Sequence, residues 1–255
     1  MSSNPYATPK AAVADAAIAP QGDFIPGGRG VAAGRGWDWI VAGWDLFKKQ
    51  PGMWVGLIVV AAIIMIVLAV IPFLGSVALM VLGPVFAGGM MLGCRTLEQG
   101  GELELGHLFA GFKEKFGALA AAGALYLAGY VVIMVVVMLI TGASLFTLMG
   151  GGADSGVAMG MVLAILIAMA LTVPLAMAIW FAPCLILFNE RGAVEAMKES
   201  FAACLKNIVP FLLYGVVLFV AAIIASIPFG LGWLVLGPVV AGSIYASYRD
   251  IYFTS

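Results

Sequence analysis

The chain has 255 residues, 64% of them hydrophobic and only 10% charged, with a mean hydropathy of +1.13. That balance lies outside the range of soluble globular domains and makes lipid the expected solvent. The net charge is only −1, and in a membrane protein the total matters less than the side on which each charge falls.

Residues 1–35 are rich in Ala, Pro and Gly and hold few large apolar side chains. Such a segment buries too little surface to offset chain entropy, so it reads as a disordered cytoplasmic tail. It lacks the apolar stretch of a secretory signal, which leaves insertion to the first spanning helix. The transmembrane domain is expected over residues 36–255.

From Trp37 to Gln50, Trp37, Ile40, Trp44 and Phe47 recur at helical spacing, with Asp38, Asp45, Lys48 and Lys49 off that stripe. This predicts an amphipathic helix in the membrane interface, closed by Pro51. The first span is read as 53–71, nineteen residues without a charge. At about 1.5 Å per residue this covers a hydrocarbon core of about 30 Å. A turn at Pro72 to Gly75 leads to a second span at 76–93, ended by Arg95.

Gly100 to Phe116 predicts a second interfacial helix, with Leu105, Leu108, Phe109, Phe112 and Phe116 on one face. A third span is expected at 117–140, then a glycine-rich loop and a fourth span at 157–183 that is long enough to reach Phe188. Pro174 and Pro183 are its expected bends. Gly192 to Asn207 is the third amphipathic stretch, with Val194, Met197, Phe201, Leu205 and Ile208 on its stripe. The last two spans fall at 208–227 and 231–248.

The octet Val81 to Gly88, VLGPVFAG, returns as Val235 to Gly242, VLGPVVAG, and each copy follows an Ile-Pro-Phe turn, at Ile71 to Phe73 and Ile227 to Phe229. Trp44 and Phe47 also align with Phe109 and Phe112 and with Phe201 and Cys204, each pair leading into a span. The predicted fold is therefore all-α and polytopic. Three parallel repeats each consist of a cytoplasmic interfacial helix and a transmembrane hairpin. Under six spans all 12 Lys and Arg residues fall on one face, and the three opposite loops carry only Asp154. The positive-inside rule makes that face, with both termini, cytoplasmic.

The sharpest functional candidates are Gly83, Pro84, Gly237 and Pro238. A helical proline frees the carbonyl four residues earlier, here Met80 and Leu234. Matched breaks in two repeats are a sequence pointer to a transporter's binding site. The alternative is close packing, with Ala87, Gly88, Gly89 and Gly93 mirrored by Ala241, Gly242, Ser243 and Ala246. Packing is favoured because no charge or amide lies at that depth. The duplication predicts similar effects of Pro84→Ala and Pro238→Ala.

No span holds an ionisable residue in its interior, which argues against transport coupled to a membrane carboxylate. His107 is the single histidine and has no spaced co-ligands, so it reads as a solvated residue. Glu98, Glu102 and Glu104 read as a solvated loop ion-paired with Arg95, Lys113 and Lys115. Gly27-Gly28-Arg29-Gly30 lacks the Lys-Ser/Thr of a phosphate loop. The 14 methionines read as fillers. Cys94, Cys184 and Cys204 fall at cytoplasmic helix ends, where thiols stay reduced. No catalytic residue, metal site or cofactor is expected.

Arg35-Gly-Trp-Asp-Trp-Ile, Gly43-Trp44-x-Leu-Phe47 with Pro51 and Trp54, Trp180-Phe-Ala-Pro183, Glu195-Ala-Met and Ser200-Phe201 through Lys206-Asn207 carry a resemblance. They resemble a proteobacterial family of six-span inner-membrane proteins with no assigned biochemical function, over residues 29–253. Pro183, Gly192, Glu195-Ala196 and Ser200 are more distantly similar to the membrane domain of some glycerophosphodiester phosphodiesterases, which imports no catalytic residue here. The resemblance implies a multi-pass bacterial inner-membrane protein. Asn4-Pro5-Tyr6-x-x-Pro9 with Val13 and Asp15 is similar to a leader found ahead of several bacterial membrane domains.

The first functional reading is a non-enzymatic scaffold, accessory or envelope-maintenance factor. The second is a transporter or channel for a small uncharged or lipid-like solute. A polar cavity between the second and sixth spans would favour the second reading, and a dry, close-packed contact the first. Membrane lipids are the expected partners and nucleic acid is not. The sequence names no protein partner or oligomeric state.

Overall fold

The computed structural model describes residues 22–149 and 154–254, so the tail up to residue 21 and the Gly150–Gly152 loop lie outside the described residues. The fold is helical. Its elements are α1 (Arg35–Lys49), α2 (Pro51–Ala69), α3 (Leu74–Glu98), a 3-10 turn (Leu105–Phe109), α4 (Ala110–Glu114), α5 (Phe116–Met149), α6 (Asp154–Trp180), α7 (Ala182–Asn189), α8 (Ala193–Lys206), α9 (Ile208–Ser226) and α10 (Trp233–Tyr252).

Among the described residues, five helical stretches are long and apolar enough to cross a membrane: Pro51–Ala69, Leu74–Glu98, Phe116–Gly142, Met159–Asn189 and Ile208–Ser226. The sixth predicted span falls on α10, which does not meet the same measure. The reason is its position: Val239, Ser243, Tyr245, Ser247, Tyr248, Ile251 and Tyr252 are all buried. A helix surrounded by protein tolerates polar residues whose partners are internal. Accordingly the Ser243 hydroxyl donates to Val240 O at 2.8 Å and lies 2.6 Å from the Tyr214 hydroxyl, and Ser247 donates to Ile244 O at 2.8 Å.

Pro51 opens α2 at a position whose missing N–H costs nothing, because first-turn amides lack helical partners. The two Ile-Pro-Phe turns share a left-handed phenylalanine, φ 60° at Phe73 and φ 52° at Phe229. Such a conformation costs on the order of 1–3 kcal/mol outside glycine. Its occurrence at both matched turns makes it a property of the hairpin.

The predicted bends come out differently. Pro174 lies inside α6 without ending it, as do Pro84 in α3 and Pro238 in α10. The fourth span breaks at Phe181, ahead of Pro183. The second interfacial stretch is split into the 3-10 turn and α4, with Lys115 between α4 and α5.

Each connector meets one long helix of the bundle, α10, α3 or α6, through a small residue. A Cβ on Gly43 would lie 2.3 Å from Val239 O and 2.7 Å from Ser243 N. One on Gly111 would lie 2.2 Å from Val85 O. In the third connector the Ser200 hydroxyl donates to Met177 O at 2.7 Å and accepts from Phe181 N at 2.9 Å. In all three cases a backbone carbonyl on a long bundle helix receives the contact, and Val85 and Val239 are equivalent in the repeated octet. The middle connector docks at Gly111 rather than at Leu108, which the sequence alignment sets over Gly43, because its first turn is wound as a 3-10 helix. The bulkier apolar residues Trp37, Trp44, Phe109, Val194 and Leu205 point outward.

The predicted tail is docked from Gly22 onward. Ile25 N donates to Tyr252 O at 2.8 Å and Arg29 N to Ile251 O at 2.9 Å. Val31 N donates to Asn207 Oδ1 at 2.8 Å, and Lys206 Nζ donates to the carbonyls of Gly27 and Gly28, each at 3.0 Å. Phe24 stacks on Tyr252 with ring centroids 5.9 Å apart. Backbone pairing thus holds a segment whose side chains offer little to bury.

Candidate functional site

The four helix-break residues do not share one environment. Pro84 and Pro238 are both buried, but Gly83 and Pro84 form part of the wall of a cavity of about 490 Å³. Tyr126 of α5, Trp180 at the end of α6, Cys184 of α7 and Ile244 of α10 close its other sides. A Cβ on Gly83 would meet no atom within 4 Å, whereas one on Gly237 would lie 3.2 Å from Ile58 Cδ1. Helix α2 therefore closes over the second Gly-Pro pair, and the first stands open.

No Asp, Glu, Lys, Arg or His lines this cavity. Its only hydrogen-bonding side chains are the Tyr126 hydroxyl, the Trp180 indole and the Cys184 thiol. The space lies between the second span and α10, as a transport reading requires, but it is apolar. A site of this kind can hold an uncharged apolar body. It cannot stabilise a charge, because a charge there would have no partner.

The bend beside the cavity is built by Ser200. Phe181 N does not bond Met177 O; instead Ser200 Oγ accepts from that amide and donates its own hydrogen bond to that carbonyl. A side chain inserted into the helical ladder is a recognised cause of a kink. Pro183 supports the same break, having no N–H for the carbonyl four residues earlier. Cys204 Sγ lies 3.6 Å from the same Met177 carbonyl. Burial pushes the Cys204 thiol up to about 12, against a partial offset from its hydrogen bond with Ser200. It therefore stays protonated and unreactive.

A separate charged cluster lies where the N-terminal segment meets the end of α10, around a cavity of about 360 Å³. Asp250, whose side chain is 7% exposed, accepts from Arg35 Nε at 2.8 Å and from Trp39 Nε1 at 2.9 Å. Arg29 NH2 lies 3.3 Å from its other oxygen. Burial by itself would raise the Asp250 carboxyl, but the hydrogen bonds from Arg35 and Trp39 and the charges of Arg35 and Arg29 outweigh it and hold the group below its ordinary range. Arg249 pairs with Glu98 at 3.5 Å, and Glu98 accepts from the Tyr245 hydroxyl at 2.6 Å. Three arginines face Asp38, Glu98 and Asp250 here, so the cluster is self-neutralising and works as a clasp.

His107 is half-buried rather than solvated. Its Nδ1 accepts from Glu104 N at 3.0 Å and its Nε2 lies 3.2 Å from Thr96 Oγ1, tying the 3-10 turn to α3. Lys115 pairs with Glu190 at 3.2 Å, and Arg95 stacks over the Phe188 ring at 5.0 Å, in place of the loop pairs expected from sequence. The three cysteines are free and buried.

The profile of DUF7847, a domain of unknown function, matches residues 52–248. The chain belongs to that family. It is also similar to a Burkholderia thailandensis protein named probable inner membrane protein, at 31% identity over 215 residues, covering 80% of this chain and 78% of that one. No solved structure matches. The matched range includes the octet with Gly83 and Pro84, the Trp180 bend and Ser200, but not the N-terminal segment that closes the Asp250 clasp.

Sequence reading singled out Pro183 as a bend, but reached Trp180 and Ser200 only through resemblance and gave no reason for them. Asp250 was not among its candidates. The available signal was an acid two residues from the end of an aromatic-rich helix, in a chain whose N-terminal segment carries two arginines and Trp39.

Proposed function

We propose that the protein is a non-enzymatic, multi-pass protein of the bacterial inner membrane that accommodates an uncharged, lipid-like molecule at the Gly83-Pro84 bend. The observation that carries this reading is the cavity of about 490 Å³, walled by those two residues and free of charged side chains. Its volume falls among small-molecule sites, which typically measure about 300–1,000 Å³.

The membrane layout that goes with it has six spans, α10 being the sixth, and both termini in the cytosol. Three units follow one another, each a connector and a hairpin. Each connector docks on the second span of the unit before it, and the first connector docks on the last span. The three small-residue contacts support this closed ring. Outward Trp37, Trp44, Phe109, Phe112 and Phe116 suit an interface where aromatic rings sit at headgroup level. The inner-membrane location draws on the name of the Burkholderia relative.

Two measurements test the reading. Tags in the Gly150 loop and at Ser255 are expected in opposite compartments, and a shared compartment rejects the layout. Native mass spectrometry of protein extracted from its own membrane is expected to show a bound uncharged lipid that Gly83→Leu, which fills the cavity, displaces. Retention of the same lipid by a folded Gly83→Leu protein rejects the cavity as its site.

A scaffold role is the second reading. It is favoured by the close docking of all three connectors, which makes the cytoplasmic side a rigid platform. Copurification of one stoichiometric protein partner and no lipid would select it.

A further inference from the structure

Two apolar grooves flank the cavity at Gly83-Pro84, and each shares one residue with it. On the predicted outer side, Met80 also lines a space of about 890 Å³ between α3 and α5. On the predicted inner side, Trp180 also lines a space of about 370 Å³ between α6 and α9, bounded by Val173, Ile208 and Leu212. Neither groove is lined by an ionisable acid or base other than tyrosine and cysteine. Val173, Ile208 and Leu212 are exposed on helices read as spanning, so the solvent standing against the inner groove is the acyl region of the bilayer.

The two partitions differ in kind. Met80 is a flexible side chain that fills gaps by changing rotamer. Trp180 is a rigid, half-buried ring, and its indole N–H is held differently from those of the buried Trp39 and Trp54. Trp39 Nε1 donates to Asp250 at 2.9 Å, and Trp54 Nε1 donates to Leu46 O at 3.3 Å. Trp180 Nε1 is buried with no hydrogen-bond partner among the described residues. Its ring meets Phe211 and Tyr214 edge to face, at 5.9 and 6.1 Å. A buried N–H without a partner is destabilising, and that loss is relieved if the ring turns toward an acceptor. The ring also sits immediately before the Phe181 break, where the helical ladder is already interrupted.

The geometry points to Trp180 as a lateral gate: one acyl chain of a membrane phospholipid lies in the α6–α9 groove and enters the Gly83-Pro84 cavity when the indole swings aside. The headgroup stays at the interface, because no charge lines the route. The ester carbonyl next to the chain is the neutral acceptor that a freed indole N–H would meet. This gate rests on the cavity reading proposed above and adds the ligand's class and its route.

The test uses the full chain in vesicles containing a phosphatidylethanolamine with a diazirine at the end of one acyl chain. After illumination, adducts are mapped by mass. The wild type is expected to carry adducts on both the 208–218 segment of α9 and the 79–91 segment of α3. Trp180→Ala is expected to raise the α3 yield severalfold relative to α9. Gly83→Leu is expected to abolish the α3 adducts and spare those on α9. Trp180→Phe keeps the ring's bulk and serves as the variant if the alanine protein fails to fold; without the N–H its α3 yield is expected to fall.

If the α3 adducts appear but ignore both Trp180 variants, the gate is overturned and the cavity reading survives. The gate is likewise overturned if α3 adducts coincide with adducts at Met134 and Met138 and not on α9, since access would then be from the other groove. If adducts stay on α9 in every variant, including Trp180→Ala, both readings fall.

Discussion

Ser200 replaces the Met177 carbonyl as acceptor for the Phe181 amide: its Oγ lies 2.9 Å from Phe181 N and 2.7 Å from Met177 O. One hydroxyl satisfies both groups that the bend separates. Ser200→Ala leaves the Phe181 amide unpaired and the Met177 carbonyl with only the weak Cys204 thiol donor, at a cost of about 1–3 kcal/mol. Thermal unfolding in detergent checks this, with exposed Lys198→Ala as a reference expected within about 0.5 kcal/mol of wild type.

The glycines at the connectors sort by what a methyl group would strike. Gly43→Ala and Gly111→Ala place a Cβ 2.3 and 2.2 Å from a backbone carbonyl oxygen. Backbone yields poorly, so each is expected to destabilise by about 1–3 kcal/mol. Gly83→Ala meets open space inside α3, and relief of helical glycine entropy is expected to make it neutral or stabilising by up to about 1 kcal/mol. Paired unfolding measurements decide it; equal losses at all three positions would contradict the docking geometry.

The two prolines separate stability from occupancy. Each lies one residue before a carbonyl that receives a connector glycine, Val85 or Val239, so Pro84→Ala and Pro238→Ala are expected to shift unfolding similarly. Only Pro84 lines the apolar cavity while its counterpart's glycine is covered by Ile58. Lipid retention on extraction is therefore expected to change in Pro84→Ala and to stay at the wild-type level in Pro238→Ala.

Acid should loosen the N-terminal clasp. Asp250 is held below its ordinary range in the folded protein, so its contribution is complete above the unfolded carboxylate value of about pH 4 and is lost as pH falls through the lower folded value. Hydrogen exchange at Ile25 and Arg29, whose amides bond to Tyr252 and Ile251, is expected to lose protection in that acid window, after correction for intrinsic rates. Asp250→Asn is expected to reproduce the loss at neutral pH. Unchanged protection in both experiments would remove Asp250 from the clasp.

The sequence carried the helices that meet lipid. The expected spans 53–71 and 208–227 lie within about two residues of α2 and α9, element boundaries being uncertain by that amount, because an uninterrupted apolar run has few other uses. α10 was harder to read as a span: its serines and tyrosines find partners inside the bundle, and periodicity does not report which helix will be enclosed. The segment from Gly22 to Val31 reads as linker because its bonds are made by backbone to residues beyond 200. Composition carries no trace of such pairing. The cavity was equally hidden, since identical Gly-Pro pairs are covered in one case and open in the other according to which neighbour arrives.

α1 depends on a helix that is made much later in the chain. α1 lies along α10, with Gly43 against Val239 and Ser243, and its aromatic Trp39 is anchored on Asp250. While the ribosome is still extending the chain, that surface has nothing to rest on. The nascent protein therefore waits unfinished at the membrane until α10 has been made, and a stop before Trp233 would leave a product for quality-control proteases to recognise.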